Sequence, residues 1–419
     1  MEAETSARRP LITLLAGITV TVAVLTLWVG WALPVVIVAI IVMVMVHEFG
    51  HFITAKRAGM KVTDFFVGFG PVLWSTTVGE TRYGVRAILA GGYVKVPGMT
   101  WTDTIAPDQE SRTYRSAAYP RKVLFASAGS LMHLVMALVL AWASLTFVGL
   151  PSASHVGVYT FTSWQGHSKN SAQLAGLRLG DRIVAVDGRT ITSDAQLVNL
   201  VHASAGKSLT LAVERSGRSL TLHATPVDGR TIKVAGSALA TGAKPVGYLG
   251  VSLINQTTRE SFLAAVPRSF TVVGSMIATA ARAMVHVFSP GQFSSLIHQV
   301  ASPAAATNRA NQLNRPESIV GVVRIAVQST SAGPGTLLAI LMAVNIFVGI
   351  LNMVPMLPLD GGYVAIATYE RLRSRRGLRY HADVNRLAPF VYAFMGVLLV
   401  LFVCTLYLDI AHPIANPFH

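Results

Sequence analysis

Cysteine is almost absent: the chain has one, Cys404, among 419 residues. That excludes an intrachain disulfide and any metal site built from cysteine ligands. Cys404 lies inside an apolar run and reads as buried filler. Charge is scarce too. Asp, Glu, Lys and Arg make up 13% of the residues, where soluble domains carry about 25%. Hydrophobic residues reach 52% and the mean hydropathy is +0.52. This balance excludes an ordinary soluble domain and implies surface that faces lipid. Acidic groups are the scarcer sign, 19 against 34 basic, for a net charge of +15. The excess could suggest nucleic acid. However, the Lys and Arg are spread out, with local clusters beside apolar runs, the pattern of membrane-helix flanks. The expected partner is the lipid bilayer, and no nucleic acid.

What the chain does have is long apolar runs. A spanning helix needs about 20 mostly apolar residues. Residues 11–46 carry almost no charge and are too long for one span, and Trp28 to Pro34 divides them. Tryptophan favours the membrane interface and Pro34 suits the first turn of a new helix. Two helices are expected, roughly 11–30 and 34–55. A secretory signal over residues 1–31 is the competing view, but no small-x-small cleavage site follows. Val123–Val148, Leu337–Met353 and Leu387–Leu408 are further spans. Residues 261–288 contain Pro267, Arg268 and Arg282 and read as an amphipathic or surface helix.

Positive flanks set the expected orientation. Arg8 and Arg9, then Lys56, Arg57 and Lys61, then Arg121 and Lys122, then Arg371 to Arg379 all become cytoplasmic with five spans. Residues 150–335 and the C-terminus then lie outside. Five spans fit these flanks better than four.

His47-Glu48-Phe49-Gly50-His51 is an HExxH motif. On a helix, His47 and His51 share a face and can reach one ion. Zinc accepts imidazole nitrogen, and Glu48 is placed to take a proton from water beside it. Ionisable groups at the end of an apolar span usually have a functional partner. Two satisfied histidines on a polar helix face are the bland alternative. A catalytic zinc keeps three protein ligands and one open position. Asp360, in Asn352-Met353-Val354-Pro355-Met356-Leu357-Pro358-Leu359-Asp360-Gly361-Gly362, is the preferred third ligand, because the topology above puts it at the same membrane end as His51. Its bland alternative is an Asp-Gly turn. Glu370 and Asp383 are weaker candidates, lying in a charged linker.

With HEFGH on one membrane helix and NMVPMLPLDGG at the end of a later one, the chain resembles the site-2 protease family of intramembrane zinc metalloproteases. The closest branch is the PDZ-containing bacterial regulators of sigma-factor release, of actinobacterial type. The resemblance covers most of the chain beyond about residue 35 and includes Val67-Gly68-Phe69-Gly70-Pro71 and the stretch from Ala90 to Gly98. It implies that His47, His51 and Asp360 hold Zn2+, that Glu48 activates water, and that Asn352 helps position substrate or a developing oxyanion. A helix cap or interhelical hydrogen bond is the other reading of Asn352. It implies a single-span membrane protein as substrate, an anti-sigma factor or remnant signal peptide, cut within regulated intramembrane proteolysis. Two departures stand out. Family members usually carry AGPxxN where this chain has Ala128-Gly129-Ser130-Leu131-Met132-His133, so His133 replaces the usual Asn as a polar contact or a packed residue. The N-terminal extra span is missing from many relatives.

Residues 83–96 read as short strands with a bend at Gly91-Gly92. In the family such a membrane-associated β loop holds unwound substrate, which makes Gly91, Gly92 and Tyr93 candidate substrate-positioning residues; an ordinary hairpin covering the zinc is the alternative. From about 155 to 255 the composition turns soluble, and Asn170 to Gly188 resembles the core of a PDZ domain. Such a domain either binds an extended peptide or acts as a steric filter.

The expected fold is therefore an α-helical polytopic membrane protein of about five spans, possibly four, with a cytoplasmic membrane-associated β loop and an extracytoplasmic PDZ-like domain. The expected layout is 1–33 extra span, 34–60 HExxH helix, 61–120 cytoplasmic β loop region, 121–150 membrane helix, 151–255 PDZ-like domain, 256–335 amphipathic linker region, 336–365 membrane helix with LDGG, 366–386 basic cytoplasmic linker, and 387–419 C-terminal helix and tail. The expected location is the cytoplasmic membrane, with the active site near its cytoplasmic side. Two rival functions remain. A non-catalytic PDZ adaptor with structural zinc would not need Glu48. A metal or ion transporter would need polar residues at mid-bilayer in several helices, and only the HExxH helix and His133 offer any.

Overall fold

The structure is a computed structural model that describes residues 16–17, 19–28, 30–99, 103, 105–162, 164, 169–234, 237–238, 244–374, 380, 382, 384–414 and 416. Among them, five helices are long and apolar enough to cross a membrane: α1 (Ala32–Arg57), α2 (Tyr119–Ala143, continued as a wider turn over Ser144–Val148), α3 (Ala265–Val287), α5 (Pro334–Asn352) and α7 (Ala388–Ala411). Between them lie α4 (Ile319–Ser329) and α6 (Asp360–Arg373). The chain is a multi-pass membrane protein. Four of these helices are the runs read from hydropathy, with ends that differ from the expected ones by up to four residues.

The fifth member differs from expectation. The expected 11–30 span lies partly outside the described residues, and its described part includes a short apolar helix, Thr19–Trp28. The 261–288 segment instead forms the 23-residue helix α3, with the length and hydropathy of a span. Its charges sit near its two ends, which leaves residues 269–281 uncharged. It is also two-sided, as an amphipathic helix should be. Val273, Met276, Ile277 and Ala280 pack with Ala137 and Ala141 of α2 and Met342 and Ile346 of α5. Thr271, Ser275 and Thr279, four residues apart, face outward and return their hydroxyls to their own helix.

At one end of the bundle, Asp409 of α7 is fully buried. It accepts from Arg315 Nη2 at 2.9 Å and from the Ser318 backbone N–H at 2.7 Å. A side chain at Gly321 would strike both Glu317 and Asp409. Helix α4 then packs through Val323, Ala326 and Val327 on Val36 and Ile40 in the first turns of α1.

Beyond the other end of α1, β1 (Asp64–Val78) and β2 (Thr81–Lys95) form a folded-over hairpin. Phe65, Phe66 and Val67 pair with Val94, Tyr93 and Gly92 on one side and with Tyr83, Gly84 and Val85 on the other. The bend expected at Gly91-Gly92 is not there: β2 runs through both glycines. Their bare backbones serve close approach instead, Gly91 under the Phe69 ring and Gly92 beside Glu48 and the Phe66 carbonyl. Glu80 in the hairpin turn ties the sheet down. It accepts from Lys56 Nζ at 2.8 Å and from both terminal nitrogens of Arg112 at 2.8 Å.

Residues Ala143–Ala265 form a separate compact unit. Its main sheet runs Val251–Thr258, Leu150–Phe161, Arg182–Val186, Leu209–Arg215, Arg218–Ala224. Ser216 and Gly217 both have positive φ, the tight two-residue turn that matches strand twist. The core gathers Val156, Ile183, Leu197, Leu211 and Val213. Asp181, buried, accepts from Arg215 through two bonds of 2.7 Å and from the Arg178 backbone N–H.

The Glu80 contacts generate a pH prediction. Hydrogen bonds from Arg112 and then Lys56 hold the Glu80 carboxyl down at about 2. A carboxyl lowered in the folded state stabilises above its unfolded value, near 4.3–4.5. That contribution is lost as pH falls from there towards 2. Hydrogen exchange across residues 64–95, corrected for intrinsic rate, should therefore rise between pH 5 and pH 3 in the wild type. In Glu80→Gln it should be raised already at pH 7 and change little over that interval.

Candidate active site

His47 is the sixteenth residue of α1, about 22 Å along the axis from its start. No proline interrupts the helix between His47 and His51, so the two rings emerge one turn apart on one face. They meet a helix start. Residues 353–359 leave α5, fold back and enter α6 with Asp360 as its first residue. The glycines after Asp360 make this possible. A Cβ at Gly361 would strike the Met353 carbonyl, and one at Gly362 would lie 2.6 Å from the Leu357 nitrogen. The LDGG sequence thus folds the loop flat against the first turn of α6. It also puts a carboxylate at a helix N-terminus, where the dipole favours it.

The three side chains converge. His51 Nε2 lies 3.2 Å from His47 Nε2. Asp360 Oδ2 lies 3.4 Å from His47 Nε2 and 3.3 Å from His51 Nε2. Ligands at about 2.0–2.1 Å on a tetrahedral zinc sit about 3.3–3.4 Å apart, so the triangle has the edge length of one face of that tetrahedron. Two further observations fit an ion. Asp360 Oδ2 is buried with no hydrogen-bond partner. The His51 Nδ1 N–H donates to the Phe125 carbonyl at 2.8 Å, which leaves the Nε2 lone pair pointing at the triangle. Among the described residues this is the one group of three or more His, Cys, Asp or Glu side chains close enough to share a metal.

Helix α2 forms the wall behind the rings at four-residue spacing. Phe125 lies 5.2 Å from the His51 ring, centre to centre, and its carbonyl holds that ring. A Cβ on Gly129 would run into the His47 imidazole. His133 follows, its ring 5.0 Å from that of His47.

Edge strand 92–95 closes the front. A cavity of about 130 Å³ is lined by His47, Glu48, His51, Tyr93, Val94, Met99, Phe125, Ala126, Asp360 and Tyr363. The backbone N–H of Val94 is directed at the Glu48 carboxylate. A Cβ on Gly92 would come to 3.0 Å from Glu48 Cγ.

Of the candidate residues, the structure brings together His47, Glu48, His51, Asp360, Gly92 and Tyr93. Gly91 packs on Phe69 instead. Asn352 is the last residue of α5, half-buried and not among the cavity-lining residues. Glu370, the weaker alternative ligand, points elsewhere: it pairs with Lys122 at 3.0 Å and accepts from the Ala382 backbone N–H. Asp383 lies outside the described residues. Sequence reasoning missed Asn345. It is a buried amide in the middle of an apolar span, a placement that by itself signals a polar partner. That partner is His133: the two side chains are hydrogen-bonded, and Asn345 Nδ2 donates to the His133 carbonyl at 2.8 Å.

The profile of peptidase family M50 matches residues 35–399, spanning both the HExxH helix and the LDGG turn. The chain belongs to peptidase family M50, the site-2 proteases. This M50 peptidase is 32% identical over 402 residues to the zinc metalloprotease Rip1 of Mycobacterium tuberculosis, covering 90% of this chain and 96% of the relative. It is 31% identical over 407 residues to Rip1 of Mycolicibacterium smegmatis, with the same coverage of 90% and 96%. A putative zinc metalloprotease of Nostoc is 28% identical over 343 residues, covering 81% of this chain and 86% of the relative. This M50 peptidase is thus a zinc metalloprotease of the actinobacterial Rip1 type, and its metal is zinc.

The wall at Gly129 generates a prediction. Gly129→Ala displaces the His47 ring and should leave the purified protein with less than about a tenth of the wild-type zinc, the scale of loss when a ligand's supporting contacts are disturbed. Elemental analysis against protein concentration checks it.

Proposed function

We propose that this M50 peptidase cuts peptide bonds in or near the transmembrane segments of single-span membrane proteins, with His47, His51 and Asp360 as zinc ligands and Glu48 as the general base. The observation behind this reading is the tetrahedral-edge triangle of three ligand atoms with Glu48 and an open β edge beside it. Bound zinc supplies Lewis acidity, both to a scissile carbonyl and to water. The chain's own groups do the rest. Glu48 takes the proton of the attacking water and returns it to the leaving amine. The Phe125 carbonyl keeps the His51 proton on Nδ1. Gly129 lets the His47 ring lie flat against α2.

The cavity's size bears on the substrate. A helix is about 10–12 Å across with its side chains, and a space of about 130 Å³ does not admit one. The substrate must therefore be extended at the scissile bond. Residues 92–95 pair with 64–67 on one side, and their other edge offers a strand to pair with. Gly92 keeps this edge close to Glu48, and Tyr93 faces the bound segment. Gly91 acts at one remove, through its packing on Phe69. Asn352, eight residues before Asp360, is assigned to the oxyanion or substrate only once a substrate fills the site.

Orientation is read from the positive flanks of α1, α2 and α6 with α3 not counted as a crossing: the site near the cytoplasmic face of the cytoplasmic membrane, and the Ala143–Ala265 unit outside. That unit is read as a PDZ-like domain. Its helix Asp194–His202 and residues 247–253 flank an apolar groove of about 250 Å³, which fits a peptide-binding or filtering role towards an anti-sigma factor or a remnant signal peptide.

The test uses full-length protein in membranes with a tagged single-span substrate. Glu48→Gln should keep its zinc and lose at least about 100-fold in cleavage rate, the scale of general-base catalysis. Asp360→Asn should lose both zinc and activity. Undiminished cleavage by Glu48→Gln would end this reading, and wild-type zinc in Asp360→Asn would remove Asp360 from the ligand set. Gly92→Val, which intrudes on Glu48 and the Phe66 carbonyl, should lower kcat/KM by more than about tenfold without zinc loss.

A further inference from the structure

We infer that His133, locked by Asn345, is the positioning residue that holds His47 in its metal-facing orientation. The inference rests on the reading of His47, His51 and Asp360 as the zinc ligands.

The two ligand histidines are supported unequally. His51 is fixed from both sides: its Nδ1 N–H donates to the Phe125 carbonyl and the Phe125 ring packs against it. His47 is held less firmly: the Gly129 backbone is the main-chain group that reaches its ring, but its buried Nδ1 makes no full hydrogen bond. Below the ring Gly129 offers only bare backbone. The side-chain support comes from the next turn of α2, where His133 lies with its ring tilted 49° to that of His47 at 5.0 Å.

His133 is itself held. It is 2% exposed and Asn345 is 1% exposed. Asn345 Nδ2 donates to the His133 backbone carbonyl at 2.8 Å. That bond fixes which end of the amide faces which way, so Asn345 Oδ1 is the atom facing His133 Nδ1. An amide oxygen only accepts. His133 therefore carries its proton on Nδ1, and both the tautomer and the ring plane are set by α5. A third contact narrows the choice further: a Cβ on Gly349 of α5, one turn beyond Asn345, would lie 2.9 Å from His133 Cβ. The close approach of α2 and α5 leaves His133 no room to swing. The result is a relay across three spans, from Asn345 on α5 through His133 on α2 to His47 on α1. It keeps the HExxH helix in register with the helix that leads into Asp360.

A residue that merely fills space would tolerate loss of its lock. A positioning residue would not, because an unlocked imidazole no longer braces its neighbour. Full-length protein in detergent is used to measure zinc affinity by competition with a chromogenic chelator, together with the visible absorption of the cobalt-substituted site. Asn345→Leu leaves the His133 imidazole in place but removes its lock. It should weaken zinc binding by about 10- to 100-fold, the range for lost outer-shell support, and alter the cobalt bands. His133→Ala should do the same. His133→Asn, which keeps a side-chain N–H for Asn345, should stay within about threefold of wild type on the same scale. Melting in excess chelator reports the fold without metal, and Asn345→Leu carries the comparison should the alanine variant not fold. Wild-type zinc affinity and cobalt bands in folded Asn345→Leu overturn the inference. So does His133→Asn binding as weakly as His133→Ala. Asp360→Asn is measured alongside: if it loses zinc while the His133 and Asn345 variants do not, only this inference fails. If it binds like wild type, the ligand assignment fails.

Discussion

The structure turns on one electrostatic constraint. Two imidazoles and a carboxylate are brought within 3.2–3.4 Å of one another inside a bundle of apolar helices. Without a cation, a buried carboxylate oxygen with no hydrogen-bond donor is costly in such surroundings. With one, each group gains a partner and three distant segments of chain are tied together. Metal affinity and helix packing therefore support each other here.

Around that constraint the bundle is organised by residues that leave room and by carbonyls that hold rings. Gly129, Gly361 and Gly362 are positions where a methyl group would collide with His47 or with the backbone of residues 353–357 that presents Asp360. Phe125 contributes both a ring and a carbonyl to His51. Helix α2 serves the site with Phe125, Gly129 and His133 at four-residue intervals, so a single face of one helix supports both histidines of the HExxH motif. Lys122 lies one turn earlier on α2. Its ion pair with Glu370 ties that helix to α6, which begins at Asp360.

The hairpin explains how a water-requiring reaction is housed in a membrane protein. Its edge strand brings the Val94 backbone up to Glu48 and narrows the cavity to about 130 Å³. The Glu80 contacts with Lys56 and Arg112 moor the hairpin turn to the end of α1, which carries His47 and His51. A polar, hydrogen-bonded hairpin can lie against apolar helices because it is packed on protein and lines a cavity.

Much of this was legible without coordinates. A hydropathic run has to span or be buried, so four of the long helices could be read directly. HExxH has a meaning only on a helix, and α1 is one. Helix α3 was harder, because hydropathy and sidedness point in different directions: it has the length and composition of a span and the outward hydroxyl row of an amphipathic helix. The Gly91-Gly92 pair misled for a related reason. Glycine marks either a bend or a close approach, and local sequence does not distinguish a turn from a strand pressed against Glu48. By itself, the sequence determined the solvent, the metal-binding chemistry and the residue types at the site, since these follow from composition and from spacing along one helix. Only the tertiary structure decided that Glu370 pairs with Lys122 and not with the histidines, that Asn345 meets His133, and that strand 92–95 covers Glu48. Each of those contacts joins residues far apart in the chain, and their meeting depends on how helices pack, which no local pattern encodes.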